Sequence, residues 1–584
     1  MTRTFLALAW VEDDPQSFSP RMELFRRFGA SSQWSLAASE TGFQLYVRGP
    51  CAPSVQPCAS GGYVVGDLFG ARRSHSARDG HDGLRFGSKR DRLATARALL
   101  AETYGRYVAL WPVAGRLAVL RDPTGGFEAV TWRRRGLTLV AGDLVEALPA
   151  GLGPSARVNW TKLSGELVGA GPRGDDALLE GVEAVAPGGY LPPGGQQIRL
   201  WRPQAFAGRA AASISPPEEL AARARACVQS YAGDEALVCE LSGGFDSSVV
   251  AALLSPEQQT RTRLIHFRGR GAEADEVASA QHAADHLGLN LHQLELEGQG
   301  YSLRELEALP SGWRPSFAGL DHHLDEAMAR AVEVAGAKRI LTGQGGDAVF
   351  FQAVTPWASR DLTDRNLAEG PAWAWRLAIA RSTRRSVWAL LAMEFAAKVG
   401  FGPNLDPPSA PWIAASARRS ARGLGPHPWL RDLRRIAPAK RLHIHALVYA
   451  QRYLGPSARS AVADIAHPLL AQPIVEFCLG VPVLDLTDGV RGRAMARRVL
   501  GRHLPVQVAW RRSKGDLTSY YGLKLARSLQ ALRPFLLDGV VCREGLVNRQ
   551  ILETWLNEEA LMERGGYGDL LQLMSVEAWA RRWA

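Results

Sequence analysis

The stretch CELSGGFDSSVVAAL, residues 239–253, sets a glycine- and serine-rich turn between an apolar run and a run with helical spacing. Glycines placed directly after a strand let backbone N–H groups converge on an anion. The helix N-terminus that follows adds a partial positive charge and more free donors. Ser242, Ser247 and Ser248 contribute hydroxyl donors. Asp246 is the odd member. A bare carboxylate repels phosphates, so its presence is explained by a divalent cation shared with phosphate oxygens. No G-x-x-x-x-G-K-[ST] occurs in the chain, which excludes the commonest phosphate loop, and a GxGxxG fingerprint does not fit here. A Ser/Asp cap on an ordinary turn is the bland alternative. It is the weaker one, because six specified positions with strand and helix flanks rarely coincide.

Outward from this loop the pattern alternates. Strand EALVCEL (235–241) precedes it and helix DSSVVAALLS (246–255) follows. Then come strand RLIHFRG (263–269), helix ADEVASAQHAADHLG (274–288), strand LHQLELE (291–297), helix DHHLDEAMARAVEVAG (321–336) and strand RILTG (339–343). That order predicts an α/β fold with a doubly wound parallel sheet. Ligands of such sheets bind beyond the strand C-termini, where this loop and a second one, RILTGQGGD (339–347), both lie. From about 355 the chain is mostly helical and rich in Trp and Arg. Upstream, FQLYVRG, GYVVGDLFG, the 106–132 run and LTLVAGD alternate apolar and polar residues between turn signals, and 89–105 has helical spacing. The first 200 residues therefore read as a largely antiparallel sheet with few helices. The Ala-, Ser- and Pro-rich stretch 202–218 reads as a connector, with Pro217 opening a helix. Two domains are expected, 1–205 and 206–584.

The bulk numbers fit that division. The chain has 584 residues, 46% hydrophobic and 22% charged, with a net charge of +11. No zinc-finger, RNA-recognition or homeodomain pattern accompanies the charge, so it reads as an arginine-rich surface or a basic channel and no nucleic-acid partner is expected. Its densest part is Arg418, Arg419, Arg422, Arg431, Arg434, Arg435, Lys440 and Arg441. Six cysteines argue against a disulfide framework, and the spacing of Cys51 and Cys58 matches no zinc pair. A reducing cytoplasm is the expected compartment. The best membrane candidate, SVWALLAMEFAAKVGF (386–401), carries Glu394 and Lys398, and no span is expected.

SGGFDSS resembles the pyrophosphate loop of the ATP-pyrophosphatase superfamily, and the wider chain resembles the asparagine synthetase family. RDPTGG (121–126), GDLFG (66–70) and EGVEAVAPGGYL (180–191) followed by Trp201 resemble landmarks of that family's N-terminal domain. RILTGQGGD resembles its second ATP loop, AHPLLAQPIVEFCLGVP (466–482) its hP[FL]LD…P segment, and RGRAMARRVLGRHLPVQVAWRRSKGD (491–516) its C-terminal R…LP…R-x-K segment. The resemblance implies an N-terminal Ntn-hydrolase-like, glutaminase-like domain before a synthetase domain with helical additions. It implies that ATP is split between the α and β phosphates, that a carboxylate becomes an acyl-adenylate, and that an amine attacks the acyl carbon. Asp246 and Asp347 become the expected Mg²⁺ ligands. Leu241, Ser242, Gly243, Gly244, Ser247, Ser248, His266, Thr342 and Gly343 become expected ATP contacts. Lys514 becomes the active-site lysine, notable in a chain with seven lysines and 62 arginines. Glu276 either supports the site or is an ordinary helix-N-terminal charge.

The departures from the family decide more than the matches. Glutamine-hydrolysing members expose a cysteine after Met removal, whereas this chain begins Met-Thr-Arg and its first cysteine is Cys51. Thr2 reads as an ordinary second residue, so the N-terminal domain is expected to be catalytically silent. The glutamate of the second loop is Gln344, a neutral amide that cannot act as a general base. The usual Asp-Glu pair is Asp347-Ala348, and VFFQ (349–352) follows where a tyrosine serves some relatives. Without an ammonia source or a matching base, asparagine synthesis is disfavoured, and the chain is most similar to lasso-peptide cyclases. Such an enzyme adenylates an Asp or Glu side chain of a core peptide, whose α-amine then closes a macrolactam. AMP departs readily, which lessens the need for a strong base. The implied partners are the precursor peptide and a leader peptidase or leader-binding protein of the same pathway. The Arg-rich 376–441 region is expected to wall the peptide cleft, with a solvated basic surface as the bland alternative. An asparagine- or β-lactam-synthetase-type ligase on a small molecule is the alternative within this chemistry. A non-catalytic peptide-binding scaffold is the alternative outside it.

Overall fold

The computed structural model describes residues 3–49, 51–58, 60–70, 91–145, 148–155, 157–168, 177–208, 217–268, 274–296, 298–364, 372–405, 409–511 and 518–584. The N-terminal part holds two six-stranded antiparallel sheets rather than the one that alternation predicts. In the first, Thr4–Ala9 lies between Phe43–Arg48 and Leu137–Ala141. In the second, Tyr104–Val113 lies between Tyr63–Phe69 and Arg116–Arg121. All six residues of Thr4–Ala9 are buried, which explains why that apolar run shows no polar alternation. Phe5, Ala7 and Ala9 face Val108, Leu110 and Val119 of the other sheet in one core. Leu6 and Leu8 point the opposite way, to Leu24 and Phe28 of helix Pro15–Gly29. On the far side Tyr107 and Ala109 pack against Ala96 and Leu99 of helix Arg92–Glu102. The layers are thus helix, sheet, sheet, helix.

The C-terminal part is built on a five-stranded parallel sheet. Its order is Leu291–Glu295, Thr262–Arg268, Leu237–Glu240, Arg339–Leu341, Asp464–Ala466, or 3-2-1-4-5 in chain sequence. The four strands read from the alternation are present. The fifth, three residues long, was not foreseen, because so short a segment carries no periodicity. The strand order reverses between Leu237–Glu240 and Arg339–Leu341, which run parallel, and at this switch point the two glycine loops leave the sheet side by side.

The two parts share their cores. The C-terminal helix Tyr567–Trp583 packs on helix Trp160–Val168, and Gln572 Nε2 donates to the Glu166 carbonyl. A buried ion cluster joins the antiparallel sheets to the end of the parallel one. Asp464 accepts from Arg106 at 2.7 Å, Arg3 at 2.8 Å and Arg339 at 2.9 Å, and Asp67 pairs with the same three arginines. No helix among the described residues is long and apolar enough to cross a membrane.

Candidate active site

A cavity of about 970 Å³ opens at the switch point. Residues 244–247 of the first loop and 342–345 of the second line it, together with Phe127, Glu128 and Asp143 of the antiparallel part. No side chain caps helix Phe245–Ala252, so its first-turn N–H groups are left for another acceptor. Gly243 has φ +78°, and a Cβ there would lie 2.4 Å from the Glu276 carbonyl oxygen. The loop is thereby laid against helix Ala274–Leu287, whose Ser279 hydroxyl donates to Gly243 O at 2.7 Å.

The hydroxyls of the loop divide. Ser242 Oγ and Ser247 Oγ lie 3.0 Å apart on the cavity wall. Ser248 is fully buried and donates to Gly244 O at 2.9 Å, so its hydroxyl braces the helix turn behind the loop. Gly243 and Ser248 do not line the cavity; Leu241, Ser242, Gly244, Asp246 and Ser247 do. His266, in the neighbouring strand, donates from Nδ1 to Leu241 O at 2.8 Å, and its buried Nε2 stands at the wall as an acceptor with no donor among the described residues. Thr342 Oγ1 accepts the Gln344 N–H at 3.1 Å and donates to His467 Nδ1 at 2.8 Å. Burial pushes His467 down to about 3, which keeps it neutral and able to accept. A Cβ on Gly343 would lie 2.4 Å from Ser247 N, so the two loops touch at that glycine.

The two aspartates meet. Arg493 Nη1 binds Asp347 Oδ1 at 2.6 Å and Asp246 Oδ2 more closely still. One guanidinium thus stands where carboxylates from two loops converge. Two hard oxygen ligands around one positive charge is the donor set that a divalent cation also takes beside phosphate, so these residues fit Mg²⁺. A Cβ on Gly346 would lie 2.4 Å from Asp246 Cγ, so only glycine lets the second loop approach this closely. Among the described residues no cluster of three or more His, Cys, Asp or Glu could hold a metal ion by itself.

Of the other residues at the wall, Glu276 was one the sequence offered either as a support of the site or as a helix-N-terminal charge, and the rest carried no sequence signal of their own. Glu276 pairs with Arg511 at 3.3 Å, both on the cavity wall. Arg459 holds Glu240 at 3.2 Å and also pairs with Asp325, whose carboxyl burial raises to about 6. Trp313, Phe317, Phe351, Tyr449, Tyr453 and Tyr521 give the cavity an aromatic side. The Arg-rich 376–441 region was expected to form this wall, but no described residue from 354 to 444 lines the cavity. Its helices turn away, and Lys440, read as part of a basic surface, is buried against His443 and Cys478 O. Lys514 and Thr2 lie outside the described residues. Lys524 is no substitute for Lys514, being wholly buried in an ion pair with Asp321.

A doubly wound sheet whose switch point holds a lysine-free glycine–serine loop and two convergent carboxylates is the setting of a nucleotide-binding α/β enzyme. The chain belongs to the asparagine synthase family, whose family model matches residues 222–581. Membership assigns it ATP-dependent amide-bond formation. No curated protein matches it. Among solved structures, the U34-tRNA thiolase NcsA from Methanococcus maripaludis with its 4Fe-4S cluster is similar at 17% identity over 40% of this chain and 80% of that one. Its TM-score of 0.19 carries no argument about function.

Proposed function

We propose that this protein is an AMP-forming macrolactam cyclase of the lasso-peptide type. It would adenylate an Asp or Glu side chain of a precursor core peptide and join it to the peptide's own α-amine. Residues 1–205 serve as a silent amidotransferase-like domain and 206–584 as the adenylating unit. One observation carries the reading: Asp246 and Asp347 converge in a cavity whose volume is at the top of the range for small-molecule sites, about 300–1,000 Å³, and whose second loop presents Gln344 where ammonia-using relatives hold an acid.

In this reading the peptide carboxylate attacks the α-phosphorus of ATP and pyrophosphate leaves. The N–H groups of residues 244–247 and the Ser242 and Ser247 hydroxyls receive the departing charge. Asp246 and Asp347 would hold Mg²⁺, which when bound neutralises phosphate charge. Lys514 adds a cation at the α-phosphate, and His266 Nε2 accepts from the nucleotide. The amine then attacks the acyl carbon and AMP departs. The aromatic wall holds the peptide so that amine and adenylate meet, which is worth more here than a strong base. ATP–pyrophosphate exchange tests this. It is expected to need the core peptide and to be lost in Asp347→Ala and Lys514→Ala at unchanged thermal midpoint. Exchange driven equally by free aspartate would favour the small-molecule ligase, and none under any condition would favour the scaffold.

A further inference from the structure

Helices Ala372–Thr383 and Val387–Lys398 form a hairpin remote from the cavity, none of whose residues lines it. Arg376 clamps the two helices together through a bidentate pair with Glu394, both contacts at 2.9 Å. Ile379 and Leu390 face inward against Leu362 and Leu484. That orientation fixes what the second helix shows outside. Trp388, Ala392, Phe395 and Val399, at i, i+4, i+7 and i+11, are all exposed, Trp388 at 76% and Phe395 at 69%. Trp373 on the partner helix and Phe401 beyond the hairpin are exposed as well, 51% and 68%. An exposed apolar stripe of this kind along one helix face is costly in water and marks an interaction surface.

The charge around the stripe identifies its partner. Between 372 and 405 the one acid is Glu394, buried and neutralised by Arg376. Arg381, Arg384 and Arg385 are exposed at the turn and Lys398 at the far end, and none of the four pairs with a carboxylate among the described residues. An apolar stripe ended by cations, with no exposed acid on its own two helices, would repel a second copy of itself and suits an anionic face. Tryptophan and phenylalanine with flanking Arg and Lys, on a helix too short to span, is the pattern that settles at the headgroup level of an anionic bilayer. We propose that this hairpin docks the protein peripherally on an anionic lipid surface.

The test is sedimentation of the full chain with vesicles of phosphatidylcholine alone or mixed with phosphatidylglycerol. Binding is expected only to the mixed vesicles, lowered about tenfold or more by Trp388→Ser/Phe395→Ser and comparably by Arg384→Glu/Arg385→Glu. Far-UV circular dichroism and ATP–pyrophosphate exchange are expected unchanged in both variants, since neither pair touches the core or the cavity. No binding to mixed vesicles overturns the proposal. So does equal binding by wild type and both variants, which would place any attraction on the general basic surface. Loss of co-purification with a protein partner in the variants, with no vesicle binding by the wild type, would also overturn it and assign the stripe to a protein.

Discussion

Arg493 is the residue on which the geometry of the site turns. It is buried, and its guanidinium holds the carboxylates of Asp246 and Asp347 in one place. Two like charges brought this close are unfavourable unless a cation lies between them. Arg493→Gln is therefore expected to lower the thermal midpoint in EDTA and to make the protein more strongly stabilised by added Mg²⁺ than the wild type. An identical Mg²⁺ response in both would separate Arg493 from the cation site. Both aspartates were legible in the sequence because each sits at a fixed offset in a glycine loop. Arg493 was not: it lies in a segment with four arginines within eight residues (491–498), and nothing in their order marks the one that turns inward. Ser248 shows the opposite limit. Its place in the motif suggests a phosphate donor, while the helix that begins at Phe245 rotates its hydroxyl back onto Gly244 O.

At the scale of elements, the two loops work as a pair because of glycine. A Cβ on Gly346 would strike the Asp246 carboxylate, so Gly346→Ala is expected to displace it and lower adenylation about 10²-fold, with the thermal midpoint little changed. Full activity in ATP–pyrophosphate exchange would show that the loops do not need this approach. The parallel strands and crossover helices were legible because period and turn chemistry agree along 235–343. The second antiparallel sheet was not, since strand alternation gives the buried face of each strand but not which strands share a sheet. The helical region after 355 misled for a related reason. Its arginines and Lys440 read as one basic surface, yet Lys440 Nζ donates to Cys478 O, and His443 donates from Nε2 to Val349 O at the end of the short helix carrying Asp347.

At the scale of the whole molecule, the cluster of Arg3, Arg106, Arg339, Asp67 and Asp464 joins the antiparallel sheets to the last parallel strand. The arginines hold Asp67 down to about 2 and Asp464 lower still, against the opposing effect of burial. A carboxylate depressed on folding contributes its full stability above its ordinary value and loses it as pH falls through the folded one. Asp464→Ala leaves three buried guanidiniums around Asp67 and is expected to cost roughly 3–5 kcal/mol at neutral pH. In denaturant unfolding the gap from wild type should narrow between about pH 4 and pH 2; a gap that does not change would remove the cluster from the stability of the junction. The bond that the enzyme makes is the decisive observable. Purified protein, ATP, Mg²⁺ and the core peptide are expected to yield AMP, pyrophosphate and a peptide lighter by one water, with fragmentation placing the new amide between the α-amine and an Asp or Glu side chain. Asparagine formed from aspartate and ammonia, with the peptide returned unchanged, would contradict the account.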